Sequence, residues 1–299
     1  MASRKALFAA AAAGAGLGAV PFAAWVYLPP ENPFAEFVTS KVASSISKYN
    51  FETWQRGDKR PQRIILMRHG QTHGYSHTCD CQVAGLPVCA LKPETDRPLT
   101  EEGKLQALRA GVAMKHIIGD ETCTFYVSPY KSCKQSFSYV SGSFTELDSL
   151  QYVEDPRLRN QDHGDWHLNT APEKMEEYKK QSEKVGSFFY RWPQGEAAAE
   201  VYDRVSSFME TMYRKWKHVD RPNNYVIITH SKVIHCFLMR WFHWDVNTFN
   251  RLEKFKSGQL AVMEKQSDGS YKLVTPLPIK PPIPEGVKHL ASNPIPPDA

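Results

Sequence analysis

Residues 63–70 read "RIILMRHG", an apolar run that ends in Arg68, His69 and Gly70. An arginine beside an imidazole at the end of a buried strand can hold an anionic phosphoryl group next to a nucleophile. Chemistry on so anionic a group is mostly positioning and charge stabilisation, with an acid to protonate the departing oxygen. A second histidine, His230, ends another apolar run, "NYVIITH".

The elements that must position these residues follow from pattern. "RIILM" reads as a buried strand, and "LTEEGKLQALRAGVAMKHI" as a helix opened by Thr100 with an acidic first turn. "TFYVSP" is a second strand, followed by a helix through "YKSCKQSFSYVSG". "DSLQYVED" leads into a third strand and then a long polar insertion. "AAAEVYDRVSSFMETMYRKW" is an amphipathic helix with Val201, Val205, Phe208 and Met212 on one face. "NYVIITH" is a fourth strand, "KVIHCFLMRWF" a helix, and "GQLAVMEKQ" with "SYKLV" a final strand pair. Strands alternating with helices predict an α/β fold, a three-layer α/β/α sandwich around a largely parallel sheet. Ligands of such sheets bind at the carboxyl ends of the strands, where His69 and His230 both fall.

The flanking segments have other characters. Residues 1–30 read as a membrane anchor or targeting segment, because Ala6 to Leu28 is a 23-residue stretch without charge. As a helix it is roughly 35 Å long, enough for a hydrocarbon layer of about 30 Å. Ten alanines and Pro21 weaken it, and a cleaved signal or a mitochondrial presequence are the competing readings. Residues 31–62 form a linker with an amphipathic helix over 34–49. Residues 275–299, with eight prolines, read as an extended arm. The domain between, residues 63–274, carries the chemistry.

Net charge is a modest +5, and no Lys/Arg stripe with interleaved aromatics supports a nucleic-acid partner. Cys79, Cys81 and Cys89 fall within eleven residues, with His73 and His77 just ahead. A zinc site lacks the usual C-x₂-C spacing, a disulfide is the alternative, and neither is preferred. No cofactor or metal is expected. Cys123, Cys133 and Cys236 sit in strand-like or apolar contexts and read as inert core residues.

Residues 63–273 resemble the histidine phosphatase (phosphoglycerate mutase-like) superfamily, and in particular its eukaryotic and plant-type broad-range phosphatase branch. The blocks "LMRHGQT", "RPLTEEGKLQA", "YVSPYKSCKQS", "PRLRNQDHGDW" and "VIITHS" occur in the family's order. The resemblance implies that His69 attacks phosphorus, that Arg68 grips the phosphate and that His230 holds the transferring group. It also marks four departures. Tyr75 replaces an asparagine, Ser132 replaces the second phosphate arginine, Asn160 replaces the proton-donating glutamate, and Ser231 replaces the glycine after the second histidine.

A charged hydrogen bond to phosphate contributes about 1.5–3 kcal/mol, and a missing general acid costs about 10²–10⁴-fold in rate. The expectation is therefore a catalytically impaired member, tethered to a membrane and serving as a structural or binding subunit of a membrane complex. A mitochondrial inner-membrane complex, ATP synthase or a respiratory complex, suits a short, weakly hydrophobic anchor in contact with the bilayer through residues 6–28; a secretory-pathway membrane is the alternative. The competing function is a membrane-anchored phosphatase working through a phosphohistidine. For that reading, Lys131 or Lys134 would have to replace the lost charge, and Asp162 or Asp165 the lost acid.

Overall fold

The computed structural model describes residues 60–73, 82–83, 86–87, 93–144, 150–164, 172–216 and 222–281. The anchor, the linker helix, Tyr75, the three clustered cysteines, Asp165 and the arm beyond residue 281 lie outside these described residues. In chain order the elements are β1 (Arg63–Arg68), β2 (Gln82–Val83), β3 (Leu86–Pro87), α1 (Glu101–Ile118), β4 (Cys123–Val127), α2 (Lys131–Ser141), β5 (Gln151–Glu154) and α3 (Pro172–Val185). They continue with α4 (Ala198–Lys215), β6 (Asn224–Thr229), α5 (Ser231–Phe242), α6 (Val246–Arg251), β7 (Leu260–Lys265) and β8 (Tyr271–Leu273).

Six strands form one sheet in the order β5-β4-β6-β1-β7-β8. The four strands from β5 to β1 pair in parallel and are joined by helical crossovers, whereas β7 is antiparallel to β1 and β8 to β7. The sheet is therefore mixed rather than largely parallel. The short link between β7 and β8 can only close a hairpin, because parallel neighbours need a crossover of a dozen or more residues.

Alternation along the strands feeds two cores. Ile64, Leu66, Tyr225, Ile227 and Met263 pack with Val201, Val205, Phe208 and Met212 of α4 and Ile234 and Phe237 of α5. Ile65, Met67, Val226, Ile228 and Val262 pack with Ala107, Ala110 and Met114 of α1 and Val140 of α2. Helices on both faces require the central strands to be apolar on both sides, hence "RIILM" and "YVII" without alternation. The first residues past 274 join this domain: Leu277 is buried, and the Glu253 amide donates to the Pro278 carbonyl at 2.7 Å.

Two helices lie where no element was expected, one of them in the polar insertion. α3 is rich in Glu and Lys with few apolar residues, so propensity more than periodicity favours it. α6 is six residues capped by Asp245, whose side chain accepts from the Thr248 amide.

α1 begins as expected, with the Thr100 hydroxyl accepting from the Gly103 amide at 2.9 Å. Its third residue has a second task. A Cβ on Gly103 would lie 2.1 Å from the Gln71 carbonyl oxygen, and one on Gly70 would lie 2.2 Å from the Gly103 carbonyl. Two backbones touch here, which fixes the loop after β1 against the helix. Replacement Gly103→Ala is expected to cost about 1–3 kcal/mol, the range for overpacking. The measurement is the urea midpoint against wild type; an unchanged midpoint would mean the contact carries no such constraint.

Candidate active site

β1 and β6 are adjacent and in register, Arg68 opposite Thr229, so the residues that follow both strands emerge together. The His69 amide donates to the Thr229 carbonyl at 3.0 Å. The His69 and His230 rings stand edge to face with centroids 4.9 Å apart. Both are buried, His69 7% and His230 2% exposed. The two sequence-predicted histidines thus share one pocket.

A hydrogen bond sets the tautomer of His69. His69 Nδ1 lies 2.7 Å from the Gly70 carbonyl. A carbonyl cannot donate, so Nδ1 carries the proton and Nε2 carries the lone pair of a nucleophile. The Gly70 amide donates in turn to Ser136 Oγ at 3.0 Å. His230 Nε2 lies 3.0 Å from Ser128 Oγ, a hydroxyl that can donate or accept, and that oxygen also accepts from the Tyr130 amide at 3.5 Å. The Nδ1 atom of His230 is buried and makes no hydrogen bond among the described residues.

Burial, then the charge of Arg68, brings His69 down to about 4, and Lys254 adds to the effect. Burial, then His69, Arg68 and Arg204, pushes His230 well down. Both imidazoles are therefore neutral near pH 7, as a nucleophile must be. Arg68 donates to the Phe255 carbonyl through Nη1, and Ser231 Oγ accepts from the Phe255 amide at 2.9 Å. The serine that departs from the family pattern thus helps fix the segment that orients Arg68.

Ser132 is a different case. It is 2% exposed, at the start of α2, and brings no charge. The lysines expected to compensate are engaged elsewhere: Lys131 pairs with Asp96 at 3.0 Å and Lys134 with Glu154 at 3.9 Å. Cys133 is buried in the core as read, and its sulfur lies 3.5 Å from His230 Nε2. Burial pushes its thiol to about 12, so it stays protonated.

Asn160 is held in place through its backbone. Arg204 donates to the carbonyls of Arg157, Arg159 and Asn160 and pairs with Glu196, which also binds Arg159. The Asn160 side chain reaches Glu94, donating from Nδ2 to Oε1 at 2.6 Å. Asp162, a suggested replacement acid, spends Oδ1 on the Gly164 amide at 2.8 Å. Glu94, Lys254, Ser128 and Tyr130 escaped the sequence reading because each sits in a loop or turn with no periodic signal. Among the described residues no cluster of three or more His, Cys, Asp or Glu could hold a metal ion.

Two neutral imidazoles and an arginine at the carboxyl ends of adjacent strands, in a mixed α/β sandwich, form an arrangement that can take an anionic group between histidines. Residues 64–275 match the histidine phosphatase superfamily (branch 1), and the chain belongs to that superfamily. It is 38% identical over 226 residues to the Arabidopsis thaliana phosphoglycerate mutase-like protein AT74H, covering 71% of this chain and 76% of that protein. It is also 38% identical to the broad-range acid phosphatase DET1 of Saccharomyces cerevisiae, covering 73% and 90%. Among solved structures, mycobacterial hydrolase 2 superposes with TM-score 0.55 at 18% identity, over 77% of this chain and 96% of that one. Bacillus stearothermophilus YhfR gives 0.53 at 20%, over 71% and 95%. These structural likenesses establish the fold.

The buried imidazoles predict acid lability. His235 is a third, lowered to about 3 by burial, then Lys232, with Arg68 adding to it against the Glu253 carbonyl bond. Each binds a proton in the unfolded chain near pH 6.5 but not in the folded one until far lower pH. Stability is then full above about pH 7 and falls as pH drops from 6.5 toward 4, since the unfolded state binds more protons there. Urea midpoints at pH 7.5, 6 and 5 should decline in that order; a flat series would show that the imidazoles ionise in place.

Proposed function

We propose that this chain is a catalytically impaired histidine phosphatase-fold protein that serves as a structural or binding subunit of a membrane protein complex. The observation that carries the impairment is Ser132, a buried neutral residue where the family's second phosphate arginine belongs, with Lys131 and Lys134 committed to surface ion pairs. Lys254 adds positive potential at His69, but a lysine is a point charge without the planar fork that grips phosphate. Binding is the weakened step. The nucleophile is in order.

The membrane role rests on the uncharged stretch from Ala6 to Leu28. Among the described residues no helix is long and apolar enough to cross a membrane. A mitochondrial inner-membrane assembly, ATP synthase or a respiratory complex, is the setting proposed, with a secretory-pathway membrane as the alternative. The native full-length protein, extracted in mild detergent, is expected to migrate with a large assembly on a non-denaturing gel. A free monomer there would end the subunit reading.

A second reading, a phosphatase acting on phosphomonoesters through a phosphohistidine, is favoured by the free Nε2 of a neutral His69 and by the likeness to a yeast broad-range acid phosphatase. The two readings meet in one measurement. Wild type should turn over p-nitrophenyl phosphate poorly, with a high KM that Ser132→Arg lowers by about 10–100-fold, the worth of one charged phosphate contact. A wild-type kcat/KM inside the ordinary enzyme range of about 10⁴–10⁸ M⁻¹s⁻¹ would refute impairment.

A further inference from the structure

Arg68 is aimed by the segment between α6 and β7, residues 252–259. Its Nη1 donates to the Phe255 carbonyl, its amide donates to the Gln259 carbonyl at 3.1 Å, and its own carbonyl accepts from the Gly258 amide at 3.0 Å. A guanidinium is a rigid plane of N–H donors, so a bond at Nη1 sets the plane in which the others meet an anion. Whatever holds the Phe255 carbonyl therefore aims Arg68.

One support comes from a buried residue of α5. His235 is 4% exposed, and its Nε2 lies 3.0 Å from the Glu253 carbonyl. A carbonyl cannot donate, so Nε2 carries the proton and His235 is the donor. We infer that His235 is a positioning residue for phosphoryl binding: through Glu253 it sets the Phe255 carbonyl, and through that carbonyl the guanidinium of Arg68. The inference rests on the reading that Arg68 binds a phosphoryl group.

Three successive peptide units carry the effect. The Glu253 carbonyl accepts from His235, the Phe255 amide donates to Ser231 Oγ at 2.9 Å, and the Phe255 carbonyl accepts from Arg68. Ser231 and His235 are four residues apart on α5, so both bonds come from one face of one helix. The same helix has His230 as its N-terminal cap. A single rigid element thus carries one site histidine and directs the site arginine, which keeps the two in step.

The frame is closed by packing. The His235 ring lies against Phe249 and Phe255, with centroids 6.0 and 5.5 Å away. Phe255 is 1% exposed, so its side chain is fixed in the core while its carbonyl is presented to Arg68. The Glu253 amide donates to the Pro278 carbonyl at 2.7 Å, which grips Glu253 from the chain after β8 as well as from α5. Because burial, then Lys232, holds His235 neutral near pH 7, its bond is that of a neutral donor, and a neutral amide can replace it.

The test reads anion affinity, which needs no turnover. Orthovanadate, a mimic of the transferring phosphoryl group, is titrated into full-length wild type, Arg68→Ala, His235→Phe, His235→Gln and the double variant Arg68→Ala with His235→Phe. Val140→Ala, a cavity in the core on the other face of the sheet, is the control for general loosening. Arg68→Ala is expected to weaken binding about 10–100-fold, and His235→Phe about 3–10-fold, the worth of a charged and a neutral hydrogen bond. His235→Gln, which restores a donor, and Val140→Ala should both stay within about 2-fold of wild type. In the Arg68→Ala background His235→Phe should cause no further loss, because a residue acting through another has no effect once that other is gone. If His235→Phe does not fold, His235→Met, flexible and without a donor, takes its place. An unchanged affinity in His235→Phe, an equal loss in His235→Gln or Val140→Ala, or a further loss in the double variant would overturn the role of His235 while phosphoryl binding stands. Wild type that binds no orthovanadate, or Arg68→Ala that binds it as tightly as wild type, would remove the phosphoryl reading and this inference together.

Discussion

The hydrogen bond from the His69 amide to the Thr229 carbonyl is the constraint on which the pocket depends. It is the last rung of the parallel ladder between β1 and β6, and its register decides that Arg68, His69 and His230 leave the sheet side by side. A slip of one residue would turn one histidine to the opposite face. The register is held from both sides, because alternate residues of β1 belong to different cores: Ile64 and Leu66 to one, Ile65 and Met67 to the other. The contact of Gly70 with Gly103 then stops the loop from relaxing away. Site geometry is thus a consequence of core packing, to which the local polar contacts add.

Against that fixed frame the departures from the family pattern differ in kind. Ser231 is absorbed, because its hydroxyl takes the Phe255 amide and so supports the carbonyl that binds Arg68. Asn160 is held in place, its side chain donating to Glu94 and its backbone carbonyl accepting from Arg204. Ser132 is not absorbed. Helix α2 supplies no inward cation, and its two nearby lysines face acidic partners at the surface.

The strands and principal helices were legible because burial on both faces leaves long apolar runs and amphipathic faces, such as Val201, Val205, Phe208 and Met212 of α4. The histidines were legible because each ends such a run. The antiparallel edge was half legible: the final strand pair was evident, but not its direction relative to β1, which no periodicity records. α3 was missed because its side chains give little hydrophobic pattern, and the packing of Leu277 because proline-rich sequence reads as arm. Glu94 was invisible for a deeper reason. Its bond to Asn160 spans 66 residues from a turn, and only folding defines that neighbourhood. Lys131 and Lys134 show the converse: spacing brought them near the pocket, and helix geometry turned their charges to Asp96 and Glu154.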